Sequence, residues 1–255
     1  MFKRLVIEKR NNRIAAEETL LAQHAATLGI PVVTAYEKHV ARGHFKFQPT
    51  DLVAGSVGFI HHALRSFGYR LHPQMEMSTY PPMLRDMMHR QILPIYDRWA
   101  LRRHMVATGK PVFVKPVKTK RFTGFVCHEV HDPRFNGAGN ATELHVTEVV
   151  KFVSEWRFYI AHDKIVGMQF ADHGGDPTIK PDGSVVEDAV NRIRDYGNQA
   201  AGYVLDFGVL DTGETALVEL NDGYAIGAYG NIHAATYWEV IAARWGQITG
   251  VNNVR

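Results

Sequence analysis

Leu5-Val6-Ile7 is a short apolar run within residues 4–8 and reads as a strand. Ala15, Leu20, Leu21, Ala25 and Leu28 follow at helical spacing, which predicts a helix over residues 12–28 stopped by Gly29. Ile30-Pro31-Val32-Val33 opens a second strand. Asp51-Leu52-Val53-Ala54-Gly55 reads as a third, leading into a helix that ends at Gly68. Strands alternating with helices in this way predict a small α/β lobe with parallel strands. Tyr80-Pro81-Pro82 marks a break, and a helical stretch around 96–108 ends at Gly109.

From there strands dominate. Val112-Phe113-Val114-Lys115 is a β run closed by Pro116, with a return strand at 122–126. Residues 133–142, rich in Gly, Asn and Ala, read as a mobile loop. Strand-like runs follow at 144–152, 156–161 and 164–170, then a Gly- and Pro-containing loop at 172–184. A helix near 185–201, strands at 203–210 and 215–220, and a helix over 235–246 complete the pattern. The expected fold class is α+β, with a small α/β lobe over residues 1–90 and an antiparallel-sheet unit over 91–255.

The 255 residues are 45% hydrophobic and 11% aromatic, enough apolar mass for a packed core and incompatible with wholesale disorder. Lys and Arg number 29 against 26 Asp and Glu, a net charge of +3 with the charges interspersed. That balance is too mild to argue for nucleic acid as a partner, which is not expected, and a polyanionic small molecule would serve as well. One cysteine, Cys127, cannot close an intramolecular disulfide, which suits a reducing compartment. No run approaches the roughly 18 apolar residues of a membrane helix, and the first residues turn charged too early for a signal peptide. The expectation is a cytoplasmic protein with no membrane association; a homo-oligomer is compatible with this composition.

Familiar catalytic signatures are missing: no P-loop, dinucleotide fingerprint, G-x-S-x-G elbow, paired-cysteine zinc spacing or H-E-x-x-H occurs. Asp206-Phe207-Gly208 matches the kinase magnesium triplet, yet no H-R-D loop accompanies it. Three other constellations carry chemistry. Asp206 ends one strand and Glu219-Leu220-Asn221 the next. Alternation puts Glu219 and Asn221 on one face about 7 Å apart, where the neighbouring strand can bring Asp206. Two carboxylates and an amide oxygen form a hard oxygen set suited to magnesium bridging phosphates, the plain alternative being a polar turn at Asn221-Asp222-Gly223. Lys115 ends its strand where an ammonium can meet a phosphate, and Lys118, Lys120 and Arg121 follow; a solvated basic hairpin is the alternative. In the stretch from Glu148 to Arg157 an apolar strand runs between carboxylates. Its backbone could edge an adenine and Glu155 could hold a ribose, against the alternative of an amphipathic strand with an ion pair. His128-x-x-His131-Asp132 could be drawn as a metal site, but no fourth ligand is in reach by sequence.

The order of these elements resembles the ATP-grasp superfamily of carboxylate–amine ligases, over roughly residues 95–230. The lobe at 1–90 then looks like the α/β lobe preceding the two-lobed nucleotide-binding unit of that fold. The resemblance implies that Lys115 and Lys118 contact nucleotide phosphates. It likewise implies that Glu148, Val149 and Val150 form the hinge against adenine, and that Glu155 holds the ribose. Asp206, Glu219 and Asn221 match the magnesium triad, and Arg157 the arginine found there in the glutamate- and tyrosine-adding ligases. More narrowly, Tyr203-x-x-Asp206-Phe207-Gly208-Val209 and Val218-Glu219-x-Asn221-Asp222-Gly223, with Gly227 and Tyr229 beyond, resemble a short bacterial and phage clade named for two arginines and a lysine. The chain departs from better-known members at two points. Their earlier phosphate-binding lysine has no match, Arg98 and Arg90 being the candidates to replace it. Val204 stands where an arginine usually precedes the first magnesium aspartate, with Arg192 and Arg194 as candidates.

The resemblance implies ATP and Mg²⁺ as cofactors and a small-molecule or peptide carboxylate and an amine as substrates. A carboxylate would attack the γ-phosphate, and an amine would then displace phosphate from the acyl phosphate. Two alternatives accompany this reading: a nucleotide-binding or interaction protein without turnover, and an ATP-grasp kinase that stops at phosphoryl transfer.

Overall fold

Leu5, Val6 and Ile7 are fully buried at the centre of a three-stranded parallel sheet. The computed structural model describes residues 1–69, 78–117, 122–135, 137–197 and 200–251. It divides into two compact units, one of residues 1–87 together with 152 onward, the other of residues 88–151.

In the first unit, β1 (Arg4–Glu8) lies between β2 (Val32–Ala35) and β3 (Asp51–Ala54), as the strand–helix alternation predicts. Helix α1 (Ala16–Thr27) starts later than the expected residue 12. The reason is a tight turn whose two central residues, Asn11 and Asn12, take φ of 47° and 61°. Arg10 and Arg13 exchange backbone hydrogen bonds of 2.8 and 2.7 Å across it. Asparagine tolerates that left-handed conformation better than most side chains. A five-residue helix, α2 (Glu37–Ala41), is too short to show as periodicity; α3 (Val57–Ser66) follows β3, capped by the Ser56 hydroxyl accepting from Phe59 N.

The same unit holds a four-stranded antiparallel sheet in the order β10-β9-β7-β8. Its strands are β7 (Phe152–Ala161), β8 (Lys164–Phe170), β9 (Gly202–Leu210) and β10 (Thr215–Asp222). Both flanks of β9 are bulged. Register shifts occur between Phe152 and Ser154 on β7 and between Leu217 and Glu219 on β10. Naming the remaining helices in chain order, α4 (Arg98–Thr108) belongs to the second unit, while α5 (Gly183–Tyr196) and α6 (Ala234–Thr249) belong to the first. Trp245 on α6 donates its indole N–H to the Asp51 carbonyl at 2.7 Å, and Arg4 pairs with the Asp51 carboxylate at 2.6 Å. Tyr159, Val204, Tyr237 and Trp245 thus share one core with the N-terminal sheet. Each fully buried Leu, Ile or Phe in it stabilises the fold by about 1.5–3 kcal/mol.

The second unit is a three-stranded antiparallel sheet, β5-β4-β6, from β4 (Val112–Pro116), β5 (Phe125–Cys127) and β6 (Leu144–Thr147), with α4 closed by Gly109 at φ 64°. Phe122, Phe125 and Phe135 meet edge to face with centroids 5.1–5.7 Å apart. Within residues 133–142 the expected loop is corrected at Pro133–Phe135, which forms a 3-10 turn with Phe135 buried in the core. A second correction concerns residues 148–157. They are not one continuous strand, because β6 ends at Thr147, β7 begins at Phe152, and the two belong to different sheets. Cys127 is a buried free thiol donating to the Glu129 carbonyl at 3.1 Å; burial raises its pKa, which suits packing rather than nucleophilic chemistry. Among the described residues no helix is long and apolar enough to cross a membrane.

Candidate functional site

Asp206 sits in the middle of β9, opposite Arg157 on β7 and opposite Glu219 on β10. Directly opposed residues of antiparallel strands project to the same face, so three strands deliver three charged groups together. The β10 bulge at Val218 makes this possible, because without it Val218 would oppose Asp206 and Glu219 would face away. Asn221, two residues on, opposes Val204 and joins the same face. Its amide nitrogen donates to Glu219 Oε1 at 2.8 Å and reaches Asp206 Oδ2 at 3.5 Å. The sequence-predicted trio of Asp206, Glu219 and Asn221 is therefore assembled.

Arg157 is held on every side. Its Nε and Nη2 donate to Asp206 Oδ1 and Oδ2 at 2.7 and 2.6 Å, with both residues buried (4% and 1% exposed). Nη1 donates to the Gly227 carbonyl at 3.1 Å, and the guanidinium lies 3.8 Å from the Tyr229 ring centroid. Burial alone would lower the arginine's pKa, but the Asp206 hydrogen bonds and charge outweigh it and raise the pKa above its ordinary value. Tyr159, two positions further along β7 and on the same face, belongs to no sequence motif, although the period-2 series Glu155, Arg157, Tyr159 carries the signal. Its hydroxyl donates to the Gly227 carbonyl at 3.3 Å and accepts from Tyr229 N at 2.9 Å, and burial pushes its pKa up to about 12. Glu155 opposes Gly208 and lies 4.0 Å from His173 Nε2.

Arg194 is not part of this cluster: it is exposed on α5 and pairs with its neighbour Asp195 at 3.0 Å. Arg192 on the same helix is held by Asp86 at 2.7 Å and Asp188 at 2.8 Å.

In the second unit Lys115 is half-buried on β4, opposite His145 of β6. Gly124 lies against it, since a Cβ there would sit 3.2 Å from Lys115 Cβ and 2.7 Å from Phe113 Cζ. Lys118, together with Lys120 and Arg121, lies outside the described residues. Glu148 accepts from Gln91 N at 3.0 Å through its carboxylate and donates its own N–H to the Gln91 carbonyl at 3.0 Å. Val149 and Val150 follow in the segment between β6 and β7. Their backbone groups make no hydrogen bond among the described residues. Arg98 is engaged locally, donating to the Ala138 carbonyl at 2.6 Å over the Phe135 ring.

Two carboxylates and an amide on one face fit a hard divalent cation. Asn221 turns the positive end of its amide toward both carboxylates, the electrostatic role a cation would take over once the amide rotated to present its oxygen. Among the described residues no group of three His, Cys, Asp or Glu side chains gathers as a metal site. Asp132, drawn with His128 and His131 in the sequence, is held instead by Arg134 at 2.5 Å, which lowers its pKa to about 2.

Residues 96–240, more than half of the chain, match a family described as an ATP-grasp domain, the second family of its clade. No curated protein sequence matches significantly. Solved structures resemble the chain over almost its full length. A RimK domain protein ATP-grasp from Sphaerobacter thermophilus superposes with a TM-score of 0.54 at 14% identity, covering 97% of this chain and 99% of that one. The ATP-grasp ligase PsnB, complexed with a phosphomimetic variant of its minimal precursor, Mg and ADP, gives 0.54 at 12% identity, over 96% and 98%. The macrocyclase MdnC of Microcystis aeruginosa, bound with the precursor peptide MdnA, gives 0.54 at 11% identity, over 94% and 99%. At such identities the likeness is one of fold, and the fold is ATP-grasp.

Proposed function

The chain belongs to this ATP-grasp domain family, and on that premise we propose that it is an ATP-dependent carboxylate–amine ligase working through an acyl phosphate. Within the superfamily we place it in the short clade named for two arginines and a lysine. The observation that carries the reading is the convergence of Asp206, Glu219 and Asn221 on one face beside Arg157.

In this reading Asp206, Glu219 and Asn221 hold magnesium, which neutralises phosphate charge when bound. Lys115, with Lys118, meets the nucleotide phosphates; Val149 and Val150 offer backbone groups to adenine beside Glu148, and Glu155 takes the ribose. Arg157, its Nε and Nη2 on Asp206 and its guanidinium against Tyr229 and the Gly227 carbonyl, would meet a phosphate or substrate carboxylate through its planar fork only by exchanging the Asp206 contact. Arg194, exposed on α5 and paired with Asp195, is the candidate to replace the arginine that usually precedes the first magnesium aspartate. The substrate carboxylate oxygen bonds to the γ-phosphorus as the bond to the β-phosphate oxygen breaks and ADP departs. The amine nitrogen then bonds to the acyl carbon, phosphate leaves, and the amine gives up a proton. Positioning and charge neutralisation carry such chemistry, which needs no nucleophilic side chain. Precursor-peptide complexes of PsnB and MdnC support a peptide as one substrate.

One observation favours a nucleotide-binding protein without turnover: Arg157 already holds both oxygens of Asp206. ADP release, measured against a panel of carboxylates with and without an amine, separates the readings. A ligase forms amide and, with hydroxylamine as the amine, a hydroxamate. ADP with a stable phosphorylated product marks a kinase, and no ADP under any condition rejects catalysis.

A further inference from the structure

Charge is divided unevenly between the two units. Residues 88–151 hold 11 Lys and Arg against 5 Asp and Glu, while the rest of the chain holds 18 against 21. Part of that excess sits at Lys115 and Lys118, which the ligase reading gives to nucleotide phosphates. Another part gathers on α4. Leu101 and Met105, four residues apart, turn inward and share a core with Val112 and Val114 of β4. Strand alternation then sends Phe113 and Lys115 to the other face of the sheet, away from the helix. The outward stripe of α4 runs through Trp99, Arg102, Arg103 and Val106, spaced i, i+3, i+4 and i+7. Trp99 is 54% exposed and Val106 77%, and Tyr96, just before the helix, is 72% exposed. Arg102, Arg103 and, past the Gly109 stop, Lys110 are exposed as well.

Among the described residues none of the unit's carboxylates pairs with these three cations. Asp97 caps α4 by accepting the Ala100 N–H at 2.7 Å, Asp132 is held by Arg134, and Glu148 accepts from Gln91 N. Hydrophobic side chains scattered singly over a surface are ordinary, but here a tryptophan and a valine share one stripe with two unpaired arginines. Val106 offers no plane on which a base could stack, and three cations near a helix of about 16 Å neutralise few phosphates. The stripe instead complements a helix with aliphatic side chains at the same spacing and carboxylates beside them. Tryptophan and arginine are the side chains that most often anchor such contacts.

We propose that the outer face of α4 docks an acidic, amphipathic segment of a partner polypeptide, its aliphatic side chains against Trp99 and Val106 and its carboxylates on Arg102 and Arg103. The docking needs no turnover, so it is independent of the ligase reading. Fluorescence anisotropy tests it with a labelled helical peptide of about five turns, its leucines at i, i+4 and i+7 flanked by glutamates. The full chain should bind this peptide saturably, less tightly as salt rises, and should not bind the same peptide with lysine in place of each glutamate. Trp99→Ala, and Arg102→Gln with Arg103→Gln, should each weaken binding by about tenfold or more. Lys164→Gln, an exposed lysine on β8, should leave it unchanged. The substituted side chains face solvent, so all variants should keep the wild-type melting temperature. Arg102→Glu with Arg103→Glu should reverse the preference toward the lysine peptide. Absence of saturable binding, equal binding of both peptides, or full affinity in the variants would overturn the proposal. So would tighter binding of a single-stranded RNA, or self-association of the chain, that the same substitutions abolish.

Discussion

Arg157 and Asp206 face each other across β7 and β9 as a buried bidentate pair, Nε to Oδ1 at 2.7 Å and Nη2 to Oδ2 at 2.6 Å. A surface ion pair would contribute ~1 kcal/mol or less. This pair is desolvated, so removing one partner strands the other charge in the interior at a cost of about 3–5 kcal/mol. Arg157→Gln and Asp206→Asn should each destabilise by that order in denaturant unfolding. The double variant should be less destabilised than the sum of the two, because neither charge is then left alone. Strict additivity would show that the pair is energetically uncoupled.

Glu219→Gln keeps the side-chain shape and the amide contact with Asn221 while removing a charge. If the Asp206–Glu219–Asn221 face holds magnesium, ATP turnover should fall by ~10²-fold or more with little change in melting temperature. Undiminished magnesium-dependent turnover in this variant rejects the assignment.

Glu18 on α1 is 3% exposed, its Oε2 has no partner among the described residues, and Oε1 meets Arg10 at 3.4 Å. Burial raises its pKa above the ordinary 4.5, with the Arg10 charge opposing. A carboxyl whose folded pKa is raised favours folding while protonated. Its contribution is complete below pH 4.5 and is lost as pH rises through the folded-state value. The melting temperature of Glu18→Gln relative to wild type should therefore climb from acid to neutral pH. A difference that stays flat or narrows would contradict the burial argument.

Gly208 opposes Glu155 beside the β7 bulge, and a Cβ there would lie 2.5 Å from the Ser154 carbonyl oxygen and still closer to Phe152. Backbone cannot swing aside as a flexible side chain can, so Gly208→Ala should destabilise by about 1–3 kcal/mol. Gly227→Ala, where the nearest atom is Arg157 Nη1 at 3.5 Å, should cost much less. Thermal or chemical unfolding of the two variants side by side decides it.

Much of the fold is legible in the sequence because local patterning carries it. Alternation and helical spacing locate the parallel strands of the first lobe, α4 with its Gly109 stop, and the paired strands β9 and β10. Patterning fails where it is weak, as in the five-residue α2, and where the chain crosses from one sheet to another between β6 and β7. Phe135 shows the same limit: its Gly- and Asn-rich surroundings signal a loop, and only contacts with Phe122 and Phe125 reveal it as core.

For the site, the residue types Asp206, Glu219 and Asn221 and the two-residue spacing of the last pair belong to the sequence. Their meeting with Arg157 does not. A strand has period 2, so one extra residue reverses every side chain beyond it. The bulge between Leu217 and Glu219 turns Glu219 toward Asp206, and the shift between Phe152 and Ser154 turns Arg157 toward it from the other side. No local signal announces either insertion, because each is settled by how two strands distant in sequence align their hydrogen bonds. The sequence alone determined which chemistry is present; the register of three strands decided that it lies on one face, with an arginine clamped to the aspartate at its centre.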